Sequence, residues 1–201
     1  MNQKKILFVP ALLYLSAPLF IPILKQLSKH ESYVLDCDYI NYKYSDDYES
    51  EILKIEEQGA QIVKMADYDP EVFMGKCNNI YMRLQYYLKK RTVNVKIARA
   101  IDTIKPDLII LTSDSTYVAR FIQYYYFSIP TIILQQGSLT KQVEESNSIT
   151  SLFKNLLFVT IFKYPRIVVR KNQRHQMRVY WSKFWREQEN VSGINENKIY
   201  Y

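Results

Sequence analysis

A chain of 201 residues, 48% hydrophobic and 23% charged, is long enough to bury one substantial core and too short for two ordinary domains. Its 27 basic and 20 acidic residues give a net charge of +7, but no zinc-ligand spacing, RNP-like aromatic motif or basic zipper accompanies that charge, so nucleic acid is an unlikely partner. Cys37 and Cys77 form neither a Cys-x-x-Cys pair nor a metal-like cluster with His30 or His175, which excludes a disulfide framework and fits thiols in a reducing compartment.

Lys4 and Lys5 precede nineteen uncharged residues, Ile6 to Leu24, a run that superficially resembles a signal peptide or membrane anchor. Pro10, Pro18 and Pro22 interrupt it, and a spanning helix would have to re-satisfy the backbone groups each proline frees. The run is therefore expected to hold a first strand, Ile6 to Val9, a loop from Pro10 to Ala17, and a helix opened by Pro18 or Pro22 that reaches about His30.

Tyr33 to Asp36 predicts a second strand and Asp46 to Gln58 an exposed helix ended by Gly59, with acidic residues crowding its first turns. Ala60 to Met65 predicts a third strand. The segment from about Glu71 to Ile104 predicts one or two helices with Leu84, Leu88, Val95, Ile97 and Ile101 on core faces.

Asp107 to Thr112 predicts the fourth strand, Ser115 to Phe127 a helix, and Thr131 to Leu134 the fifth strand. Both strands are short, uncharged, β-branched runs that end abruptly in small polar residues. Strands buried on both faces of a parallel sheet deliver sites at their carboxyl ends in this way. Strands and helices alternating at this spacing predict an α/β, Rossmann-like, doubly wound parallel sheet. Ligand contacts are expected from Ser113 and Ser115 after the fourth strand, from Gln135, Gln136, Gly137 and Ser138 after the fifth, and from Tyr14 and Ser16 after the first.

Residues 4 to 138 resemble the amino-terminal, acceptor-side domain of bacterial GT-B glycosyltransferases, a fold shared with UDP-sugar 2-epimerases and surface-polysaccharide transferases. The resemblance rests on Lys5-Ile6-Leu7-Phe8-Val9-Pro10, on Pro22-Ile23-Leu24-Lys25-Gln26-Leu27, on Ile104-Lys105-Pro106-Asp107-Leu108-Ile109-Ile110, and on Ile129-Pro130-Thr131 leading to Gln135-Gln136-Gly137. It implies a Rossmann-like domain over 1–147, a helical basic-aromatic segment over 148–197 leading to an inter-domain linker, and the start of a second domain at 198–201. It also implies sugar transfer from a nucleotide-sugar donor to a polysaccharide or lipid-linked acceptor, with no further cofactor or metal. The donor is held mainly by a second domain or a donor-domain subunit, so this chain alone is expected to be inactive. A cytoplasmic location, peripheral on the inner membrane face, goes with that role.

The chain departs from the family where a base is expected. Neither a glycine-rich loop nor a histidine follows the first strand, and Gln136 stands where a related turn carries histidine; glutamine cannot take a proton near neutral pH. Asp114 is the best remaining candidate, since a carboxylate in a partly dry cleft can accept the acceptor hydroxyl's proton. The alternative is that Asp114 caps the following helix, a position Asp and Ser favour. Asp36 and Asp38 are weaker candidates for acceptor contact.

Lys163 to Arg186 carries eight Lys or Arg residues and no Asp or Glu, interleaved with Tyr164, Tyr180, Trp181, Phe184 and Trp185. Basic residues beside such rings suit an anionic membrane surface, with Arg170, Lys171, Arg174, Arg178, Trp181 and Trp185 as the contacts. Packing against a second domain is the alternative. Two further readings of the whole chain remain open: a noncatalytic scaffold subunit that tethers a separate catalytic chain, and half of a UDP-sugar 2-epimerase.

Overall fold

The computed structural model of the protein describes residues 3–11, 13–37, 46–65, 79–113, 116–134, 156, 159–161, 176–179 and 199–200. Its described elements, in chain order, are β1 (Lys5–Val9), α1 (Leu13–Gln26), β2 (Glu31–Asp36), α2 (Asp46–Glu56), β3 (Gln61–Lys64), α3 (Ile80–Ile104), β4 (Leu108–Leu111), α4 (Tyr117–Tyr125), β5 (Thr131–Leu134), β6 (Gln176–Val179) and β7 (Ile199–Tyr200). The strands form one sheet in the order β3-β2-β1-β4-β5-β6-β7, and every neighbouring pair is parallel.

The period-2 alternation of the strands divides the core between the two faces of the sheet. Ile6, Phe8, Val34 and Ile110 pack against Leu13, Ala17, Phe20 and Leu24 of α1 and Tyr48, Ile52 and Ile55 of α2. Leu7, Val9, Leu35, Ile109, Leu111 and Ile133 pack on the other face against Val93, Ile97, Ile101 and Ile104 of α3 and Val118, Phe121 and Ile122 of α4. Phe8 and Phe20 meet edge-on, with ring centroids 4.9 Å apart. β4 and β5 carry no charged residue, which suits strands of a sheet covered on both faces. The α/β, doubly wound parallel fold expected from the sequence is the fold observed.

The run that resembled an anchor is β1 and α1. Among the described residues, no helix is long and apolar enough to cross a membrane. Here the structure corrects one boundary: α1 starts at Leu13, ahead of both prolines, and holds Pro18 and Pro22 within it. Leu13, Ala17, Phe20 and Leu24 recur at helical spacing and are buried, so packing outweighs the loss of the donors that those prolines lack.

A second correction concerns α3. Ile97 and Ile101 are buried as expected, but Leu84, Leu88 and Val95 lie on its exposed side. The third concerns the carboxyl-terminal part of the sheet. Gln176–Val179 falls in the stretch expected to be helical and is instead a strand, in register with β5 from Thr131↔Gln176 to Leu134↔Val179. Ile199–Tyr200, expected to open another domain, pairs with β6 in the same sheet.

The Lys-Pro-Asp sequence before β4 has a structural role. Lys105 adopts a left-handed conformation, φ 52° and ψ 62°, and its amide donates to Ile101 O at 2.7 Å. That closes α3, and Pro106 prevents its continuation. Asp107 then ties β4 to β1: Lys4 Nζ donates to Oδ1 at 2.8 Å, the Lys5 amide donates to Oδ2 at 2.9 Å, and the Asp107 amide donates to Lys5 O at 2.8 Å.

Candidate functional site

With all strands parallel, their carboxyl ends share one edge. Chain order runs outward from β1 to β2 and β3 on one side, and from β4 to β5 on the other. The crevice between β1 and β4 is therefore the topological switch point, where open α/β sheets bind ligands. Three hydrogen bonds close its floor. The Thr112 amide donates to Val9 O at 3.3 Å, Thr112 Oγ1 accepts from the Ala11 amide at 2.8 Å, and the Ser16 and Thr112 hydroxyls are 3.0 Å apart in a buried hydrogen bond.

This arrangement follows from the local sequence. The β-branched run of β4 ends at Thr112, whose hydroxyl can both donate and accept. α1 begins only two residues after Ala11, so its first turn presents Ser16 to that hydroxyl. Ser16 and Thr112 are both fully buried. Ser16, expected as a ligand contact, lies beneath the crevice and positions the loop above it. Ser113 is half-buried at the carboxyl end of β4. The backbone of Tyr14 lies in the first turn of α1, and its side chain is outside the described residues, as are Asp114, Ser115, Gln135, Gln136, Gly137 and Ser138.

The helix after the candidate base is capped by Thr116, whose Oγ1 accepts from the Ala119 amide at 3.2 Å. Thr116 thus occupies the N-cap position of α4. Sequence reasoning missed both threonines, and the signal was available: Thr112 is the first polar residue after a continuous apolar run, and Thr116 is a favoured cap three residues before Ala119. Asp36, at the carboxyl end of β2, is buried, and its Oδ2 accepts a hydrogen bond from the Tyr48 hydroxyl. Asp38 is outside the described residues, as are Arg170, Lys171, Arg174, Trp181 and Trp185; Arg178 contributes backbone to β6, and its side chain is likewise undescribed.

The groups with shifted pKa values lie at or toward the opposite, amino edge of the sheet. Hydrogen bonds from the Lys4 ammonium and then the Lys5 amide hold the Asp107 carboxyl below its ordinary value. Burial, reinforced by a hydrogen bond to Asp102 at 3.0 Å, raises the Tyr126 phenol far above its own. The Tyr33 phenol is raised by its hydrogen bond to Glu31. At the carboxyl edge, the described residues supply hydroxyls, backbone amides and one buried carboxylate. Hydroxyls and amides can orient a polyhydroxyl ligand, and the one described carboxylate there, Asp36, accepts from the Tyr48 hydroxyl.

The chain superposes on a glycosyltransferase from Rickettsia africae with a TM-score of 0.53 at 14% identity, covering 100% of this chain and 42% of the other. The glycosyltransferase of kitacinnamycin gives 0.58 at 12%, covering 100% and 51%. The fold is that of one GT-B half. The UDP-GlcNAc 2-epimerase of Neisseria meningitidis, solved with UDP-GlcNAc bound, gives 0.51 at 12%, covering 97% and 45%. The chain thus spans about half the length of these structures, from 42% to 51%. No protein-family model matches it, and no curated protein matches it by sequence. In this chain, the β1/β4 crevice lies on the sheet edge that carries Ser113.

Proposed function

We propose that this chain is the acceptor-side half of a glycosyltransferase that moves a sugar from a nucleotide-sugar donor to a polysaccharide or lipid-linked acceptor. The supporting observation is the hydroxyl-floored crevice between β1 and β4 in a GT-B half. Ala11, Thr112 and Ser16 hold the loop after β1 rigid, Ser113 and the loop after β5 contact the acceptor, and Asp114 takes the proton of the attacking hydroxyl. The transfer balances when that hydroxyl oxygen bonds to the anomeric carbon, the nucleotide diphosphate leaves with the electron pair of the broken bond, and the proton passes to the Asp114 carboxylate. Donor binding falls to a second half, so the chain alone does not turn over.

Amide shifts measured by NMR test this division of labour. Oligosaccharide acceptors should shift the Ser113 and Thr116 signals, whereas UDP and UDP-sugars should leave them in place. Tight binding of UDP-sugars with no glycan effect would refute the acceptor-side assignment. In enzyme completed with a donor half, Asp114→Asn should lower kcat by on the order of 100-fold with little change in acceptor KM.

The likeness to the epimerase supports a second reading, half of a UDP-sugar 2-epimerase. Release of the 2-epimer from a UDP-sugar by the completed enzyme, with no acceptor present, would favour it.

A further inference from the structure

The amino-terminal half of α3 buries Tyr86 and Lys90 on one side and leaves the opposite side exposed. A helix of 25 residues is about 37 Å long, while the four residues of β4 span about 13 Å. The buried residues that join α3 to the sheet core are Val93, Ile97, Ile101 and Ile104. Because α3 ends at the amino edge, where Lys105 to Asp107 lead into β4, its first turns extend past the carboxyl edge of the sheet.

That extension carries Ile80 at 87% exposure, Tyr81 at 65%, Leu84 at 49% and Leu88 at 48%, and Val95 continues the line at 37%. Tyr81, Leu84, Leu88 and Val95 are spaced by three, four and seven residues, which places them on one side of the helix, opposite Val93 and Ile97. Arg91 and Arg99 lie in the same stripe, and Lys89 and Lys96 flank it; all four are exposed. The one acidic residue of α3, Asp102, accepts a hydrogen bond from the Tyr126 hydroxyl at 3.0 Å.

We propose that this face of α3 docks on an anionic membrane surface. Aliphatic side chains and a tyrosine on a lysine- and arginine-bordered helix face suit the headgroup boundary, where cations meet lipid phosphates and the apolar groups enter the acyl layer. A second copy of the chain would set the same cations against one another across a two-fold axis, which disfavours it as occupant. Docking on this side lays α3 along the bilayer surface, with the carboxyl edge of the sheet opening alongside it. The inference goes beyond the sugar chemistry proposed above, which does not require a membrane.

The test is sedimentation of the full chain with vesicles of phosphatidylcholine alone or mixed with phosphatidylglycerol, at low and high salt. The chain should bind only the mixed vesicles and release them as salt rises. An Arg91→Gln, Lys96→Gln, Arg99→Gln variant should bind on the order of 100-fold more weakly, at about fivefold per charge. A Leu84→Gln, Leu88→Gln variant should bind about tenfold more weakly at every salt concentration. All five positions are exposed, and circular dichroism melting checks that the variants remain folded.

Wild-type binding by both α3 variants would overturn the assignment. So would loss of binding confined to a variant with Arg170, Lys171, Arg174 and Arg178 changed to Gln, which would move docking to that stretch. No binding to mixed vesicles, or self-association that the Leu84→Gln, Leu88→Gln change abolishes while vesicle binding persists, would also overturn it. Glycan and UDP-sugar binding are measured without vesicles, so failure here is separable from failure of the glycosyltransferase reading.

Discussion

Ser16 and Thr112, 96 residues apart in sequence, share a buried hydrogen bond of 3.0 Å at the point where the sheet order reverses. Thr112 also accepts from the Ala11 amide, so one hydroxyl joins the end of β4, the loop after β1 and the first turns of α1.

Thr112→Val keeps the shape and removes the hydroxyl, leaving the Ala11 amide and the Ser16 hydroxyl without it. The expected loss is about 1–3 kcal/mol, the cost of stranding buried polar groups. A double-mutant cycle with Ser16→Ala, followed by urea denaturation, should return a coupling of about 1 kcal/mol. Additive losses would show that the two hydroxyls act independently.

Lys105 has a backbone conformation that costs an L-residue about 1–2 kcal/mol. Lys105→Gly should therefore stabilise the protein by about 0.5–1 kcal/mol, the relief being partly offset by the greater freedom of glycine in the unfolded chain. Lys105→Val, β-branched at a positive φ, should destabilise it. Paired thermal melts of the two variants measure both directions.

Asp107 makes the amino edge acid-sensitive. Its folded pKa is lowered, so its stabilising effect is fully present above the unfolded value of about 3.9. The effect fades as pH falls through that value toward the lower folded one. Asp107→Asn should be less stable than wild type near neutral pH, with the difference vanishing in strong acid. Salt should shrink the difference, because Asp107 and Lys4 are both exposed. Urea midpoints across a pH series provide the measurement.

Two substitutions in α3 test which side faces the core. Ile97→Ala should cost about 2–5 kcal/mol, whereas Leu88→Ala should change stability by no more than about 0.5 kcal/mol. Equal costs would mean that Leu88 is packed.

The five strands expected from the sequence all form: β4 and β5 are continuous apolar runs, whereas β2 and β3 hold only short apolar cores between polar residues. Leu84, Leu88 and Val95 were misassigned to the core because α3 is apolar on two sides, and periodicity does not say which side meets the sheet. β6 was hidden by its composition: Gln176–Val179 reads Gln-Met-Arg-Val amid basic residues, and only pairing with β5 reveals it as a strand. Of the expected site residues after β4, Ser113 is placed at the strand's carboxyl end and Asp114 and Ser115 lie outside the described residues. The roles of Thr112 and Thr116 were not legible in the sequence, because assigning their hydroxyls requires knowing which amides lie within reach.

β3 forms one margin of the sheet and is only four residues long. Its terminal residues, Gln61 and Lys64, are exposed, and Ile62 and Val63 between them are half-buried. A free strand margin is a template on which another chain can add its own backbone, and brevity together with a lysine discourages such growth. Lys64→Val would leave the fold and the crevice untouched while extending an apolar, β-branched border. At high concentration, Lys64→Val is expected to stack into fibrils more readily than the wild-type chain, through a residue outside the crevice.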